Sequence, residues 1–287
     1  MGKRGSLVYQ ARQRLMAMAA YGESKHSDKA VNGGLPSPVK IYSYSTMHNY
    51  IDASVRFCGW ARAAHGCKTL EEARQFTGDY LRERMAAGKS AWTVARDAAA
   101  LAKLYGTSSD KLGAELPTRH RSEVTQHRTG AEHGHFSENR NRDLVDLCRA
   151  TGLRRHEITQ ITAENVGTDS RGNLCLHDVK GKGGKVREIP VLPQYAQRIK
   201  QIAEAAQAEQ RPLIEHVPKY APCHRYRAEY ARELYTLYAR DMSTLPRSEV
   251  YSCRSDLAGE HYDKAAMAEV SAALGHARLD VVVSYLH

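Results

Sequence analysis

The sequence has 287 residues, 42% hydrophobic and 26% charged, which is enough for one large domain or two with ordinary cores. A balance of 42 Lys and Arg against 32 Asp and Glu, formally +10, points to a polyanionic partner. No apolar run approaches membrane-spanning length, so no membrane role is expected; the 6 cysteines, with no CxxC pair and no leader, imply free thiols in a reducing cytoplasm rather than a disulfide scaffold.

The basic excess is uneven: residues 1–100 carry 15 Lys and Arg against 8 Asp and Glu. Leu7, Ala11, Leu15, Met18 and Ala19 predict an amphipathic helix over 6–20 with Arg4, Arg12 and Arg14 on its open side. Residues 22–38, rich in Gly, Ser and Pro, read as a loop, closing an N-terminal segment of 1–38. Helices are expected over 45–64, with Tyr50, Val55, Phe57, Trp60 and Ala61 on the apolar side, over 69–87 and over 91–105, the last two closed by Gly88 and Gly106. Together they make a helical domain over 39–116. Its Arg82, Arg84, Lys89, Arg96 and Lys103 would suit tracking of backbone phosphates, although most such charges, taken singly, only solvate a helix.

Residues 117–136 contain Pro117 and few apolar side chains and read as an interdomain linker; His127, His133 and His135 within it, with no cysteine nearby, are polar linker residues rather than metal ligands. A second domain spans 137–287. A helix over 137–150 ends at Gly152, after which Arg154 stands at a new helix start with Glu157 one turn later to hold it. Two strands over 174–191 flank the turn Gly181-Lys182-Gly183-Gly184-Lys185, which presents Lys182 with Lys180, Lys185 and Arg187 beside it as further phosphate ligands. A helix follows over 194–209. Pro222 then precedes another helix start with His224 and Arg227 three apart. A second hairpin is expected from 249–253 and 261–262. The sequence closes on a helix capped by Gly275, then His276, then a short helix N-capped by Asp280 that carries Tyr285.

These residues carry a resemblance to the tyrosine recombinases of the lambda-integrase type. Their catalytic domain has an Arg in a Gly-Leu-Arg-x-x-Glu context, a Lys on a Gly-Lys-Gly hairpin, a His-x-x-Arg helix start, a Leu-Gly-His box and a Tyr nine residues after that His. Arg154 with Glu157, Lys182, His224 with Arg227, His276 and Tyr285 stand here in that order across 137–287. Residues 39–116 resemble the family's core-binding domain without a specific motif. One assignment has a rival: Tyr251 and Arg254 lie nearer His276, but Pro222 before His224 and Tyr230-Ala231 after Arg227 fit the family pattern better, which makes 242–263 an insertion.

The resemblance implies a mainly α fold with small β-hairpins, of the α+β class, in two domains. It implies a site-specific recombinase or integrase of a bacterial mobile element or phage, acting on double-stranded DNA in the cytoplasm as a DNA-assembled tetramer, with DNA-bending accessory proteins possible. Tyr285 would be the nucleophile forming a 3′-phosphotyrosyl intermediate, Arg154 and Arg227 would hold the non-bridging oxygens, Lys182 would protonate the leaving 5′ oxygen, His224 would accept the tyrosine proton, and His276 would bind the phosphate or position the tyrosine. Two permanently charged guanidinium forks supply what a metal gives elsewhere, so neither metal nor cofactor is expected. Two alternatives use the same residues: a type IB-like topoisomerase, and a DNA-binding accessory protein without catalysis.

Overall fold

The computed structural model describes residues 5–34, 37, 39–123, 136–181 and 184–287. The chain divides into two units, Met1–Arg119 and His120–His287. In the first, α1 (Leu7–Met16), α2 (Lys25–Val31), α3 (Tyr44–His65), α4 (Leu70–Arg74), α5 (Thr77–Ala86) and α6 (Ala91–Tyr105) follow one another. Ser6, Ser24, Ser43, Thr69 and Ser90 each accept the main-chain N–H three residues on, satisfying an orphan donor at the starts of α1, α2, α3, α4 and α6. Leu7, Leu15, Phe57, Leu81, Leu101 and Leu104 lie in the shared core.

Two expectations are corrected in this unit. The loop expected over 22–38 contains α2, which buries no residue and so leaves no apolar period to read. The single helix expected over 69–87 is two, α4 and α5. Phe76 leaves helical geometry at ψ 9°, and the Thr77 hydroxyl lies 3.0 Å from the carbonyl oxygens of both Arg74 and Leu112. A tertiary contact thus fixes the break where the apolar period runs on.

Asp97, on α6, is fully buried and draws in Arg84 at 3.0 Å and Arg56 at 3.2 Å, with Arg96 at 3.7 Å. Removing one member of such a cluster strands the others. Asp97→Ala is therefore expected to destabilise the protein by about 3 kcal/mol, read as a lower urea midpoint.

The second unit contains α7 (Arg142–Thr151), α8 (Arg155–Ile158), β1 (Val166–Thr168), β2 (Leu174–Lys180), β3 (Val186–Pro190), α9 (Ala196–Ala208), α10 (Cys223–Tyr238), β4 (Val250–Ser252), β5 (His261–Asp263), α11 (Lys264–Leu274) and α12 (Val283–Leu286). β1, β2 and β3 form an antiparallel sheet in that order; β4 and β5 form a separate antiparallel pair. The β1 strand was not anticipated, since three residues carry no alternation. Helix α10 packs against α7, α11 and α12, and Tyr226, Tyr230 and Leu234 on it are fully buried.

Asp263 joins the second hairpin to α11. It accepts from Ala265 N–H at the helix start and from Arg240 Nη2 at 2.7 Å, and Arg240 holds its carboxyl well below the usual carboxylate range. Asp280 does not cap the last helix as expected. It lies within a 3-10 turn, Leu279–Val281, whose tighter winding lets Val282, Val283 and Tyr285 all point inward. All six cysteines are free thiols. Among the described residues no helix is long and apolar enough to cross a membrane.

Candidate active site

The site is assembled at the C-terminus of α11. A helix leaves its last four carbonyls without intrahelical partners. Gly275, at φ 68°, turns the chain so that its own N–H reaches the Ala272 carbonyl at 2.9 Å and the His276 N–H reaches the Ser271 carbonyl at 2.8 Å. The two remaining carbonyls take guanidinium groups. Arg187 Nε donates to Ala273 O at 2.8 Å, while Leu274 O accepts from both Arg154 Nη2 at 3.1 Å and Arg227 Nη2 at 2.5 Å. Three cations thus meet the negative end of one helix dipole.

Each arginine arrives from a different element. Gly152 closes α7 in the left-handed conformation, and Arg154 follows as the N-cap of α8. Glu157, whose side chain is fully buried, accepts from the Arg154 main-chain N–H at 2.8 Å and from Arg154 Nη1 at 2.9 Å. Its two oxygens also receive Arg187 Nη1 at 3.1 Å and Nη2 at 2.9 Å. Burial pushes the Glu157 carboxyl up, but these donors, Arg187 foremost, outweigh it and hold the group below its ordinary value. Glu157→Ala leaves two largely buried guanidiniums without their counter-charge, so an equilibrium unfolding curve is expected to show a loss of about 3–5 kcal/mol.

Arg227, on α10, is 1% exposed and donates through Nη1 to Gly152 O at 2.5 Å. Among the described residues no carboxylate lies within ion-pair distance of it. Burial pulls its pKa down, and the Tyr285 phenol, a hydrogen-bonding neighbour, works in the opposite direction. The Arg227 guanidinium carbon lies 5.7 Å from the Tyr285 ring centroid, and the His276 ring lies 5.7 Å from the Tyr285 ring. Tyr285 itself is 6% exposed, and its main-chain carbonyl accepts from Arg232 Nη1 at 3.2 Å.

Four residues singled out in the sequence, Arg154, Arg227, His276 and Tyr285, therefore share one neighbourhood with Glu157. His224, in the first turn of α10, is exposed one turn before buried Arg227. Lys182 lies outside the described residues, but the turn that carries it begins beside this cluster. A Cβ on Gly181 would stand 2.8 Å from Arg187 Nη1 and 3.4 Å from Glu157 Oε1. Of the rival pair, Arg254 is exposed in the connection between β4 and β5, and Tyr251 is half-buried on β4.

The expected phosphate ligands divide. Lys180 and Lys185 are exposed beside the turn, as is Lys89 in the first unit. Arg187 is not a surface ligand, because its side chain is 9% exposed and all three of its nitrogens are engaged by Glu157 and Ala273. Arg84 is held by buried Asp97, Arg82 by Asp79 at 2.7 Å and Gly113 O, and Arg96 stands 3.7 Å from Asp97. Lys103 is turned to the Ser37 carbonyl at 2.9 Å and the Lys40 carbonyl at 3.2 Å.

Sequence reasoning passed over Arg155. Its guanidinium donates to the carbonyls of Val217, Pro218, Lys219 and Ala221, tying the start of α8 to the loop that launches α10. The only signal in the sequence was its place beside Arg154.

No curated protein matches the chain. Among the solved structures that resemble it, two share its fold over nearly the whole chain. XerH site-specific recombinase bound to palindromic difH substrate, a post-cleavage complex, aligns at TM-score 0.56 with 14% identity over 100% of this chain and 94% of that one. XerH bound to difH substrate, a pre-cleavage complex, aligns at TM-score 0.51 with 14% identity over 98% and 92%. At that identity the likeness speaks for the fold. The mainly helical architecture with its small antiparallel sheets is that of a tyrosine recombinase catalytic domain. The sequence itself meets the model of the phage integrase family over residues 129–287, the stretch that supplies both guanidinium groups and the buried phenol, and the chain belongs to that family of tyrosine recombinases.

Proposed function

We propose that this protein is a site-specific DNA recombinase that cuts and rejoins duplex DNA through a 3′-phosphotyrosyl intermediate on Tyr285. The observation that carries the reading is Arg227, a buried cation beside the Tyr285 ring with, among the described residues, no carboxylate within ion-pair distance. A buried charge is costly unless paired, and a phosphodiester is the partner that would offset this one. A guanidinium has five N–H groups, and Arg154 and Arg227 each spend two on the carbonyl and carboxylate oxygens already described, so donors remain for both non-bridging oxygens.

In this reading the phenol oxygen attacks phosphorus as the bond to the 5′ oxygen breaks. An ordinary phenol, with a pKa of about 10, is ionised in roughly one molecule in a thousand at neutral pH, so a base must take its proton. His224 is that base, His276 positions the phenol and the phosphate, and Lys182 protonates the departing 5′ oxygen. Arg154 and Arg227 stabilise the charge that grows on the five-coordinate phosphorus. The ester energy stays in the phosphotyrosyl bond, and a second DNA 5′ hydroxyl reverses the step without ATP.

XerH, alike in fold, is a site-specific recombinase bound to its difH substrate, which supports double-stranded DNA as the partner here. Exchange between two duplexes needs four active protomers, so the working assembly is a tetramer on DNA. The helical unit serves as the core-binding domain.

The test is a suicide substrate: a duplex, selected from a random library by binding, nicked so that the cleaved strand diffuses away. A covalent protein–DNA adduct that maps to the Tyr285 peptide is expected. Binding without any adduct would leave a DNA-binding protein that does no strand chemistry.

A further inference from the structure

The three-stranded sheet carries a cluster that strand exchange leaves unused. On β2, Leu174 and Leu176 join the main hydrophobic cluster of the unit, whereas Cys175 between them lies outside that cluster, yet it is only 1% exposed. Residues two apart on a strand share a face, and the imidazole of His177 lies over the thiol, with Nε2 3.2 Å from Sγ. Glu188 on β3 brings Oε2 to 2.9 Å from His177 Nδ1. One ligand atom from each of the three side chains lies within 4.8 Å of the other two.

Two backbone features build this arrangement. Leu176 pairs with Ile189 and Val179 with Arg187, so His177 and Asp178 together stand opposite Glu188. This bulge, with Asp178 at φ 53°, re-aims the strand toward Glu188. Across β1, Gly167 pairs with Cys175, and a Cβ there would stand 2.8 Å from both Cδ2 and Nε2 of the His177 ring. The ring therefore rests on bare main chain, where any other residue would push it off the thiol.

A thiolate, an imidazole nitrogen and a carboxylate oxygen are the donors that borderline divalent cations accept. We infer that Cys175, His177 and Glu188 form a binding site for a divalent cation of the zinc type, with water as fourth ligand, pinning β3 to β2 at the base of the hairpin whose turn carries Lys182. Burial, with the nearby charges of Glu188 and Asp169, pushes the free thiol up to about 11. Binding breaks the S–H bond, releases that proton to solvent and leaves the sulfur lone pair to form the metal bond. The cation is a structural clamp on the sheet and takes no part in phosphoryl transfer, so the site stands or falls independently of the recombinase reading.

Titration of the reduced, metal-stripped full chain with Co2+ tests the site. One Co2+ per chain is expected, with a near-ultraviolet thiolate-to-cobalt charge-transfer band that Zn2+ displaces. Cys175→Ser abolishes the band and Cys253→Ser leaves it unchanged. His177→Gln and Glu188→Gln, at partly exposed positions, each weaken Co2+ binding by about tenfold or more; they decide the matter even if Cys175→Ser fails to fold. No band, a band that survives Cys175→Ser, or full affinity in both His177→Gln and Glu188→Gln overturns the assignment.

Discussion

Tyr285→Phe is expected to abolish the covalent DNA adduct and all strand exchange while the folded protein still binds its duplex. The ring at 285 is packed beside Arg227 and His276, and phenylalanine keeps that packing, so only the phenol oxygen is lost, which is the attacking atom in the proposed reading. Removing the nucleophile of a covalent mechanism lowers the rate by at least about 10⁴-fold. The measurement is gel-shift affinity alongside adduct yield on the nicked duplex. Adduct formation at wild-type yield by Tyr285→Phe would mean that another side chain attacks the phosphate.

Arg227→Ala is the second large effect. A preorganised cation on a phosphoryl transition state is worth about 10³-fold or more in rate, and this one is fixed by two main-chain carbonyls rather than by a flexible carboxylate. Arg227→Lys should recover little, because an ammonium point charge cannot span the Gly152 and Leu274 carbonyls and still offer a fork to the phosphate. Arg254→Ala is expected to cleave at close to the wild-type rate, since Arg254 is exposed in the second hairpin connection. Single-turnover cleavage rates of the three variants separate these assignments. Severe loss in Arg254→Ala with little in Arg227→Ala would transfer the second phosphate-binding role to the hairpin.

Much of the second unit could be read in the residues because local rules fix it. Gly152 and Gly275 stop helices in the left-handed conformation, β2 pairs antiparallel with β3 as their sequence spacing suggests, and the regular spacing of apolar residues gives α9, α10 and α11. What escaped was set by distant contacts. The break between α4 and α5 depends on Thr77 meeting the Leu112 carbonyl, thirty-five residues away. The position of Arg187 beside the Gly-rich turn suggested a phosphate ligand; its actual partners, Glu157 and Ala273, come from other parts of the chain. Charge in a sequence has no direction, and only folding shows whether an arginine faces solvent or a buried carboxylate. The residues named for the site were legible as types and order, whereas the shared carbonyl that brings Arg154 and Arg227 together could not be inferred from any side chain.

That shared acceptor is a peptide oxygen, so exchanging the residue at 274 for another apolar one leaves it in place. What the site cannot absorb is a change in count. One residue inserted or deleted between Asp263 and Gly275 would rotate the helix end by about 100° and carry the oxygen away from both guanidiniums at once. Evolutionary drift along α11 should therefore be limited to apolar exchange at its buried positions and strict in length.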